Sequence, residues 1–460
     1  METLAELDAR GPLEPRANLV RQLAVEEGGM HIRAAKEIGL SAYTASLLGS
    51  LKFLQGQMGD LVAKIKPSLW TDGLADVFAD ADIMEALGNP TLNNADDLIT
   101  LAQGAVPTQK ELYKPRAKRL HNRLKEMIGD DRSMKAWYLS NCSKESSLWI
   151  SCGRFLPGLA ASLPHADFAI NMRLQLLQSP VSSRHQPSVR CLCGPNALQL
   201  PLGQYHCFSC NAAIININRQ VDRQPNVPRG PKGVAIRRHN LIRNALMDFV
   251  DAACPGANVF KEFNLPIGVR NIPGVRDIAL RADVAVEFGG DMFYLDVVVT
   301  NPASQSCLQT RHPDEARLVA ATMAEHSKES KYRTNYPQLP DIPKNLVPFA
   351  VEATGSLGKQ ADDFVKTLSK LREAVPAGNA RLAWARRFFL NKVSMLCAKA
   401  RADMVRLGQR IQRVDANRAP ANRYTGMRAE DVLTQDVEFD DLGFFPEQVP
   451  QPSIHSQAGE

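Results

Sequence analysis

Two apolar runs rich in β-branched residues, at 282–288 and 292–300, constrain the fold of this chain more than any other feature. Only Gly289-Gly290-Asp291 separates them, and a short glycine-rich connection of this kind is typical of a β-hairpin. The flanking segments have the periodicities of three helices and two strands, which fall in chain order at 237–256 (helix), 259–263 (strand), 314–332 (helix), 346–352 (strand) and 358–372 (helix). Together they predict one mixed sheet with helices packed on it.

The remainder of the chain differs in composition from this part. Residues 1–180 have apolar side chains at helical spacing, which predicts an all-helical region. Residues 216–236 are basic and interrupted by proline, which is typical of a linker. The predicted fold class is therefore α+β or α/β, with a helical region at 1–180, a metal knuckle at 185–215, the linker at 216–236, the mixed-sheet domain at 237–375, a basic helix at 376–416 and a disordered acidic tail at 417–460.

Composition excludes several classes of protein. With 460 residues, of which 44% are hydrophobic and 23% charged, the chain resembles a globular protein of two or three domains. No apolar run approaches the roughly 18 residues of a membrane span, and the charged N-terminus lacks the apolar segment of a secretory signal. We therefore expect an intracellular protein without a membrane partner, nuclear if it functions in a eukaryote. Because no phosphate loop, nucleophile elbow or dinucleotide fingerprint occurs, we expect no small-molecule cofactor.

Basic residues are concentrated in three stretches, although the net charge is only +6. Residues 110–126, 219–243 and 381–418 each carry at least seven Lys and Arg against at most two acids. From residue 429 onward the balance reverses, with eight acids and no Lys or Arg. A single stretch of this kind could be a solvated helix face, but the three together favour a nucleic acid, DNA or RNA, as the partner.

Five metal-ligand side chains lie within twenty residues: Cys191, Cys193, His206, Cys207 and Cys210. Two short ligand pairs separated by about a dozen residues suit tetrahedral zinc. A loop with so few apolar side chains cannot build its own core, so bound Zn²⁺ would supply its folding energy. Spacing alone allows the four cysteines as ligands, or His206 in place of Cys207. The alternative is a set of reduced, buried cysteines.

Two aspartates in the hairpin are the candidate catalytic residues. Asp283 begins one strand, and Asp296 lies within the apolar run of the other. A carboxylate in an apolar strand is unfavourable unless it binds a cation or a partner, and two carboxylates on adjacent strands can share a divalent ion. Lys328 and Lys331, three apart on the predicted second helix, could stabilise the charge of a phosphate. The alternative is structural: Asp283 caps a strand, Asp296 pairs with an arginine, and the lysines are solvated.

The order of these motifs adds a resemblance to a known family. The quoted elements are Cys191-x-Cys193-Gly194, Gly203-x-x-His206-x-x-x-Cys210, Arg238-His239-Asn240-x-x-Arg243, Ala282-Asp283 with Asp296-Val297, and Lys328-x-x-Lys331-Tyr332. This order resembles the C-terminal region of non-LTR (LINE-type) retrotransposon polyproteins, where a CCHC zinc knuckle precedes a restriction-like PD-(D/E)XK endonuclease. Residues 28–33 and the helix after them are similar to the segment that follows the polymerase thumb. The resemblance covers most of residues 25–370.

The resemblance implies a DNA endonuclease that nicks its target by metal-dependent hydrolysis. Asp283 and Asp296 would bind catalytic Mg²⁺ or Mn²⁺, and Lys328 or Lys331 would stabilise the scissile phosphate. The resemblance also selects a zinc ligand set that leaves Cys207 as an extra thiol, namely Cys191, Cys193, His206 and Cys210.

Further residues receive roles in this interpretation. Glu262, in the short first strand, is either a third acidic metal ligand or a surface glutamate, and Glu352 has the same two alternatives with weaker support. His239 would orient a phosphate, or else cap or pack its helix. The residues expected to contact nucleic acid are Arg229, Lys232, Arg237, Arg238, His239 and Arg243.

Three features depart from the family pattern. Ala282 replaces the proline of the PD motif, which is tolerable because that proline binds no metal. Val298 stands where the family has a lysine two residues after the second acid, so any catalysis must use Lys328 or Lys331. No polymerase palm motif occurs, so the chain is not a reverse transcriptase by itself. The alternative prediction is therefore an inactive zinc- and nucleic-acid-binding remnant.

Overall fold

The computed structural model of the chain describes residues 15–23, 27–30, 35–62, 71–88, 94–143, 145–150, 163–180, 205, 208, 231–265, 281–335, 345–373 and 379–416. This described part contains thirteen α-helices, one 3-10 helix at Glu145–Ser147 and one four-stranded sheet. The helices before the sheet are α1 (Pro15–Gln22), α2 (Ala35–Val62), α3 (Thr71–Ala79), α4 (Ala81–Leu87), α5 (Ala95–Ala102), α6 (Gln109–Ile128), α7 (Arg132–Asn141), α8 (His165–Gln175) and α9 (Pro231–Ala253). Those that follow are α10 (Gln305–Arg311), α11 (Val319–Asn335), α12 (Lys359–Glu373) and α13 (Asn379–Ala416).

The sheet is mixed, as the hairpin pattern predicts. Its strands are β1 (Asn258–Asn264), β2 (Arg281–Phe288), β3 (Asp291–Thr300) and β4 (Leu346–Glu352), in the spatial order β1-β2-β3-β4. β1, β2 and β3 pair antiparallel, whereas β3 and β4 pair parallel. The predicted hairpin is confirmed: Gly289 and Gly290 join β2 to β3 with φ values of 64° and 88°. Two consecutive positive φ angles suit the twist of the strands, and glycine adopts them without strain.

Helices cover both faces of this sheet. On one face α9, α12 and α13 pack against alternate strand residues such as Val284, Leu295 and Phe349. Phe389 of α13 stacks on Phe249 of α9 with ring centroids 4.8 Å apart. On the other face α11 places Tyr332 against a smaller apolar cluster. Asp296 follows Leu295 in β3, so its side chain points to the α11 face.

A second core joins the N-terminal helices to α13. Trp137 of α7 is fully buried and stacks on Tyr205 and Phe208, with centroid distances of 4.8 and 5.0 Å. Met395 and Ala398 of α13 belong to the same cluster. Long helix α13 therefore packs in both cores and connects the helical region with the sheet.

The predicted helix at 314–332 begins later than expected, at Val319, and a separate helix α10 precedes it. The reason is a contact with the N-terminal helices. Arg132 of α7 donates to both carboxylate oxygens of Asp314, at 3.0 and 3.1 Å, and to the carbonyl oxygen of Leu308 at 2.7 Å. These bonds hold the connecting loop away from the helical path, so a tertiary contact overrides the local pattern.

The linker predicted at 216–236 is wrong for residues 231–236, which form the first turns of α9, because a proline such as Pro231 is tolerated at the first position of a helix. The remaining predicted elements agree with the structure to within a few residues, including the long basic helix α13. The predicted acidic tail at 417–460 lies outside the described residues. None of the helices that the structure describes combines the length and apolar character needed to cross a bilayer.

Candidate active site

The two hairpin aspartates face each other across β2 and β3. Val284 pairs with Leu295, so the antiparallel register places Asp283 opposite Asp296 one residue further along. Residues opposite each other in an antiparallel pair project to the same face of the sheet. Asp283 is also fixed by the backbone, because Val297 N donates to its Oδ2 at 2.7 Å. The sequence-predicted carboxylate pair is thus brought together.

Helix α11 supplies the partners of Asp296. Lys328 Nζ donates to Asp296 Oδ1 at 2.7 Å and to Oδ2 at 2.9 Å, and the hydroxyl of Tyr332 donates to Oδ2 at 3.1 Å. Lys328 and Tyr332 are four residues apart, so both project from one face of the helix. Burial raises the pKa of Asp296 above its ordinary value; neighbouring Asp283 adds to this rise, whereas the Lys328 ammonium opposes it.

Helix α9 supplies the partner of Asp283. His239 Nε2 lies 3.2 Å from Asp283 Oδ2 and 3.0 Å from the carbonyl oxygen of Val297. Both of these atoms accept hydrogen bonds, which assigns the proton to Nε2. Burial alone would lower the pKa of His239, but the hydrogen bond and the charge of Asp283, together with the hydrogen bonds to Asn240 and Val297, outweigh it and raise that pKa. Burial would likewise raise the pKa of Asp283, but His239 and Val297 N hold it below its ordinary value.

The pKa values of the two carboxyl groups are therefore shifted in opposite directions: that of Asp283 is lowered and that of Asp296 is raised. Pairs of titratable groups with opposite shifts are common at catalytic sites, where one group stays ionised and its neighbour changes state more readily. Structural ion pairs shift pKa values in the same way, and here the geometry of the whole group of residues indicates a site.

Glu262 lies near this group but is held by arginines. Arg243 Nη1 donates to Glu262 Oε1 at 2.5 Å, and Arg281 Nη1 donates to Oε2 at 2.6 Å. Burial would raise the pKa of Glu262, but the two guanidinium groups outweigh it and lower that pKa. Because both of its oxygens accept from arginine, Glu262 could act as a metal ligand only if these two ion pairs opened.

Glu352 has a structural position instead. Its side chain is 1% exposed at the end of β4, accepts from Ala321 N at 3.2 Å and also accepts from the hydroxyl of Ser140. These bonds connect the sheet to the beginning of α11 and to α7. The suggested role of Glu352 as a metal ligand is therefore not supported by its hydrogen bonds.

The structure separates the two candidate lysines. Lys328 is half-buried and binds Asp296, whereas Lys331 is exposed. Among the predicted nucleic-acid contacts, Arg238 is 3% exposed, and its burial does not fit a surface contact. Arg243 is buried in its ion pair with Glu262, so it could contact nucleic acid only if that pair opened, while Arg237 and His239 are half-buried.

The predicted zinc ligands and one basic linker residue lie outside the described residues, namely Cys191, Cys193, His206, Cys207, Cys210 and Arg229. Lys232 lies in the first turn of α9. Within the part of the chain that the structure describes, no group of three or more His, Cys, Asp and Glu side chains is arranged to hold a metal ion. Mg²⁺ commonly uses only one or two carboxylates together with phosphate oxygens and water, so the pair Asp283 and Asp296 fits this smaller donor requirement.

Two residues of the site were not predicted to have a role. Tyr332 belongs to the lysine motif, and its position four residues after Lys328 is the signal that could have identified it. Arg281 lies two residues before Asp283 on β2, and the alternation of a strand places both on one face. Comparison with models of protein families and with curated proteins finds no match for this chain. The geometry of the site therefore carries the functional argument.

Proposed function

We propose that this chain is a metal-dependent nuclease that hydrolyses a phosphodiester bond of DNA. The observation that carries the proposal is the arrangement of Asp283, Asp296 and Lys328, in which two facing carboxylates adjoin an ammonium group supplied by a helix. The family resemblance supports the same reading and suggests an origin in the C-terminal part of a retrotransposon polyprotein. In a eukaryote, genomic DNA as the substrate would require a nuclear location.

Asp283 and Asp296 would hold Mg²⁺ or Mn²⁺, which when bound supplies Lewis-acid stabilisation of the phosphate and makes water a better nucleophile. The pKa of Asp283 is held low by His239 and Val297 N, so this carboxylate stays ionised at neutral pH. His239 fixes the orientation of the Asp283 carboxylate through its Nε2–H. The half-buried position limits access of water and strengthens each electrostatic contact.

Lys328 would change partners when DNA binds. In the structure its ammonium donates to both oxygens of Asp296. If Asp296 held a cation, its charge would be compensated without Lys328, and the Lys328 ammonium could then donate to an oxygen of the phosphate. Lys328 would therefore replace the lysine that Val298 lacks, and Tyr332 would keep Asp296 in place through its hydroxyl.

The zinc knuckle belongs to the same proposal. Cys191, Cys193, His206 and Cys210 would hold one structural Zn²⁺, beside the basic segment 219–243 that would contact the phosphate backbone. Metal analysis of the purified chain is expected to give about one zinc per chain. A zinc content well below one, or unchanged folding after Cys191→Ser and Cys193→Ser, contradicts this part of the proposal.

A second candidate function is nucleic-acid binding without cleavage. One observation favours it: Lys328 occupies both oxygens of Asp296, which is also how a purely structural ion pair would look. A remnant of a nuclease would keep such a pair for stability alone.

Cleavage of supercoiled plasmid distinguishes the two functions. The full chain is incubated with plasmid in Mg²⁺ or Mn²⁺, beside the Asp283→Ala/Asp296→Ala variant, and DNA binding of both proteins is measured by gel shift. A nuclease gives nicked circles with the wild type and metal only. DNA binding by both proteins without cleavage by either supports the binding remnant.

A further inference from the structure

Two arginines hold one carboxylate beside the candidate active site. Arg243 donates to Glu262 Oε1 and Arg281 donates to Oε2, so each guanidinium group takes a different oxygen of the same group. Arg243 is buried in α9, whereas Arg281 and Glu262 are partly open to solvent, with side chains 47% and 36% exposed. An anion arriving from solvent can therefore reach both arginines if Glu262 moves aside.

These three residues adjoin the aspartates through three separate elements. Arg243 follows His239 by one turn of α9, so both project from the same side of that helix. Arg281 precedes Asp283 by two residues on β2 and shares its face. Glu262 occupies the position of β1 that the register with β2 places opposite Asp283, since Lys261 pairs with Val284 and Phe263 with Ala282. The arginines thus lie next to the proposed site of cleavage.

The backbone of Glu262 is in an unfavourable conformation. Its φ angle is +52°, in the left-handed region, although it is a non-glycine residue in the middle of a strand. Strain of this kind persists where the surrounding contacts maintain it, and it is concentrated at functional sites. The side chain of this strained residue is held by its bonds to Arg243 and Arg281. A ligand that takes over the arginines would let this backbone relax.

We propose that Arg243 and Arg281 form a binding subsite for a phosphate of the DNA strand beside the cleaved bond, and that the carboxylate of Glu262 fills this subsite until DNA displaces it. The inference depends on the proposed function, because it assumes a nucleic-acid ligand. Guanidinium groups bind carboxylates and phosphates with the same geometry, so one anion can substitute for the other. Glu262 keeps two arginines oriented, and it also weakens binding because DNA must displace it.

This role predicts a gain of affinity when Glu262 is removed. Dissociation constants of the full chain are measured by fluorescence anisotropy with a labelled duplex oligonucleotide, in EDTA so that no cleavage occurs. Glu262→Ala should bind about tenfold more tightly than the wild type, since each charge-assisted bond to phosphate is strong. Arg281→Gln, a substitution on the surface, should bind more weakly. The double variant Glu262→Ala/Arg281→Gln should not show the gain in affinity that Glu262→Ala shows.

Glu287→Ala is the matched control for charge. Glu287 lies on β2 of the same sheet and accepts from Asn258 Nδ2, and no arginine among the residues that the structure describes forms an ion pair with it. Glu287→Ala also removes one negative charge, so this variant measures the general electrostatic effect on DNA binding. The dissociation constant should change by less than about twofold. Unchanged affinity of Glu262→Ala, or a gain that persists without Arg281, overturns the inference while the nuclease assignment stands. Absence of duplex binding by every variant overturns both.

Discussion

Asp283 and Asp296 carry the same functional group a few ångströms apart, yet different neighbours determine their behaviour. Asp283 accepts from a backbone N–H and from His239, which lowers its pKa, whereas burial raises the pKa of Asp296. The sequence identified both aspartates because charged residues are rare in apolar strands. It could not choose between Lys328 and Lys331, because that choice depends on how α11 is rotated against the sheet.

Substitution of the two lysines tests this rotation. Lys328→Ala should slow plasmid nicking by about 100-fold or more, because it removes the cation next to the phosphate. Lys331→Ala is the matched control on the same helix; it should change the rate by less than about twofold, since Lys331 is exposed. Equal losses of activity in the two variants would contradict the assignment of Lys328.

His121 predicts how stability depends on pH. Burial lowers its pKa to about 4, with Lys125 and Arg317 adding to the fall, and the hydroxyl of Tyr138 is hydrogen-bonded to Nδ1. Above pH of about 6.5 the imidazole is neutral in both the folded and the unfolded chain and contributes no pH dependence. As the pH falls from about 6.5 to about 4, only the unfolded chain gains the proton, so the folded state loses stability.

His121→Gln removes this titration. Between pH 7.5 and 4.5 the variant should lose less free energy of unfolding than the wild type, by about 1–2 kcal/mol after allowance for solvent screening. Urea unfolding at a series of pH values measures this difference. Parallel curves for the two proteins would show that His121 titrates normally in the folded state.

At the scale of elements, the local sequence was enough to predict the hairpin but not the residue at which α11 begins. Gly289-Gly290 specifies a tight turn by itself, and the alternating apolar residues specify which face is buried. The start of α11 depends on Arg132, which is more than 170 residues away in the sequence from Leu308 and Asp314. The bonds from Arg243 and Arg281 to Glu262 likewise join residues 19 positions apart, so no local pattern could predict them.

The contact between α11 and α12 can be tested at one glycine. Glu325 of α11 accepts from Gln360 N at 3.0 Å, and a Cβ on Gly358 would lie 2.2 Å from Glu325 Oε1. Gly358→Ala should therefore lower the free energy of unfolding by about 1–3 kcal/mol. It should also slow nicking, because Glu325 lies one turn before Lys328 and both would shift.

Gly49→Ala is the control for this substitution. Gly49 lies on the exposed side of α2, and no atom of the described part of the chain lies within 4 Å of its added Cβ. Alanine there should leave stability unchanged or raise it by up to about 1 kcal/mol, because alanine favours a helix. A Gly358→Ala protein as stable as Gly49→Ala would contradict close packing between Glu325 and α12.

At the scale of the whole molecule, the N-terminal helices and the sheet share buried contacts. Arg401 of α13 donates to Asn171 Oδ1 at 2.8 Å and to the carbonyl oxygen of Ala353 at 2.9 Å, and its side chain is 2% exposed. A buried guanidinium group requires such partners. Composition predicted a helical region and a sheet as separate segments, but it carried no signal for the docking between them. Such docking arises from residues that are far apart in the sequence.

The central claim is that Asp283, Asp296 and Lys328 together cleave DNA, and the rate of plasmid nicking by Asp296→Asn tests it most directly. Asparagine keeps the size of the side chain but removes the charge that would hold the metal ion. With protein in excess over plasmid, in Mg²⁺ or Mn²⁺, we expect nicking by the wild type and a rate at least about 100-fold lower for Asp296→Asn. Plasmid binding should be retained by both. Nicking at equal rates by the two proteins, or binding without nicking by the wild type, would contradict the account.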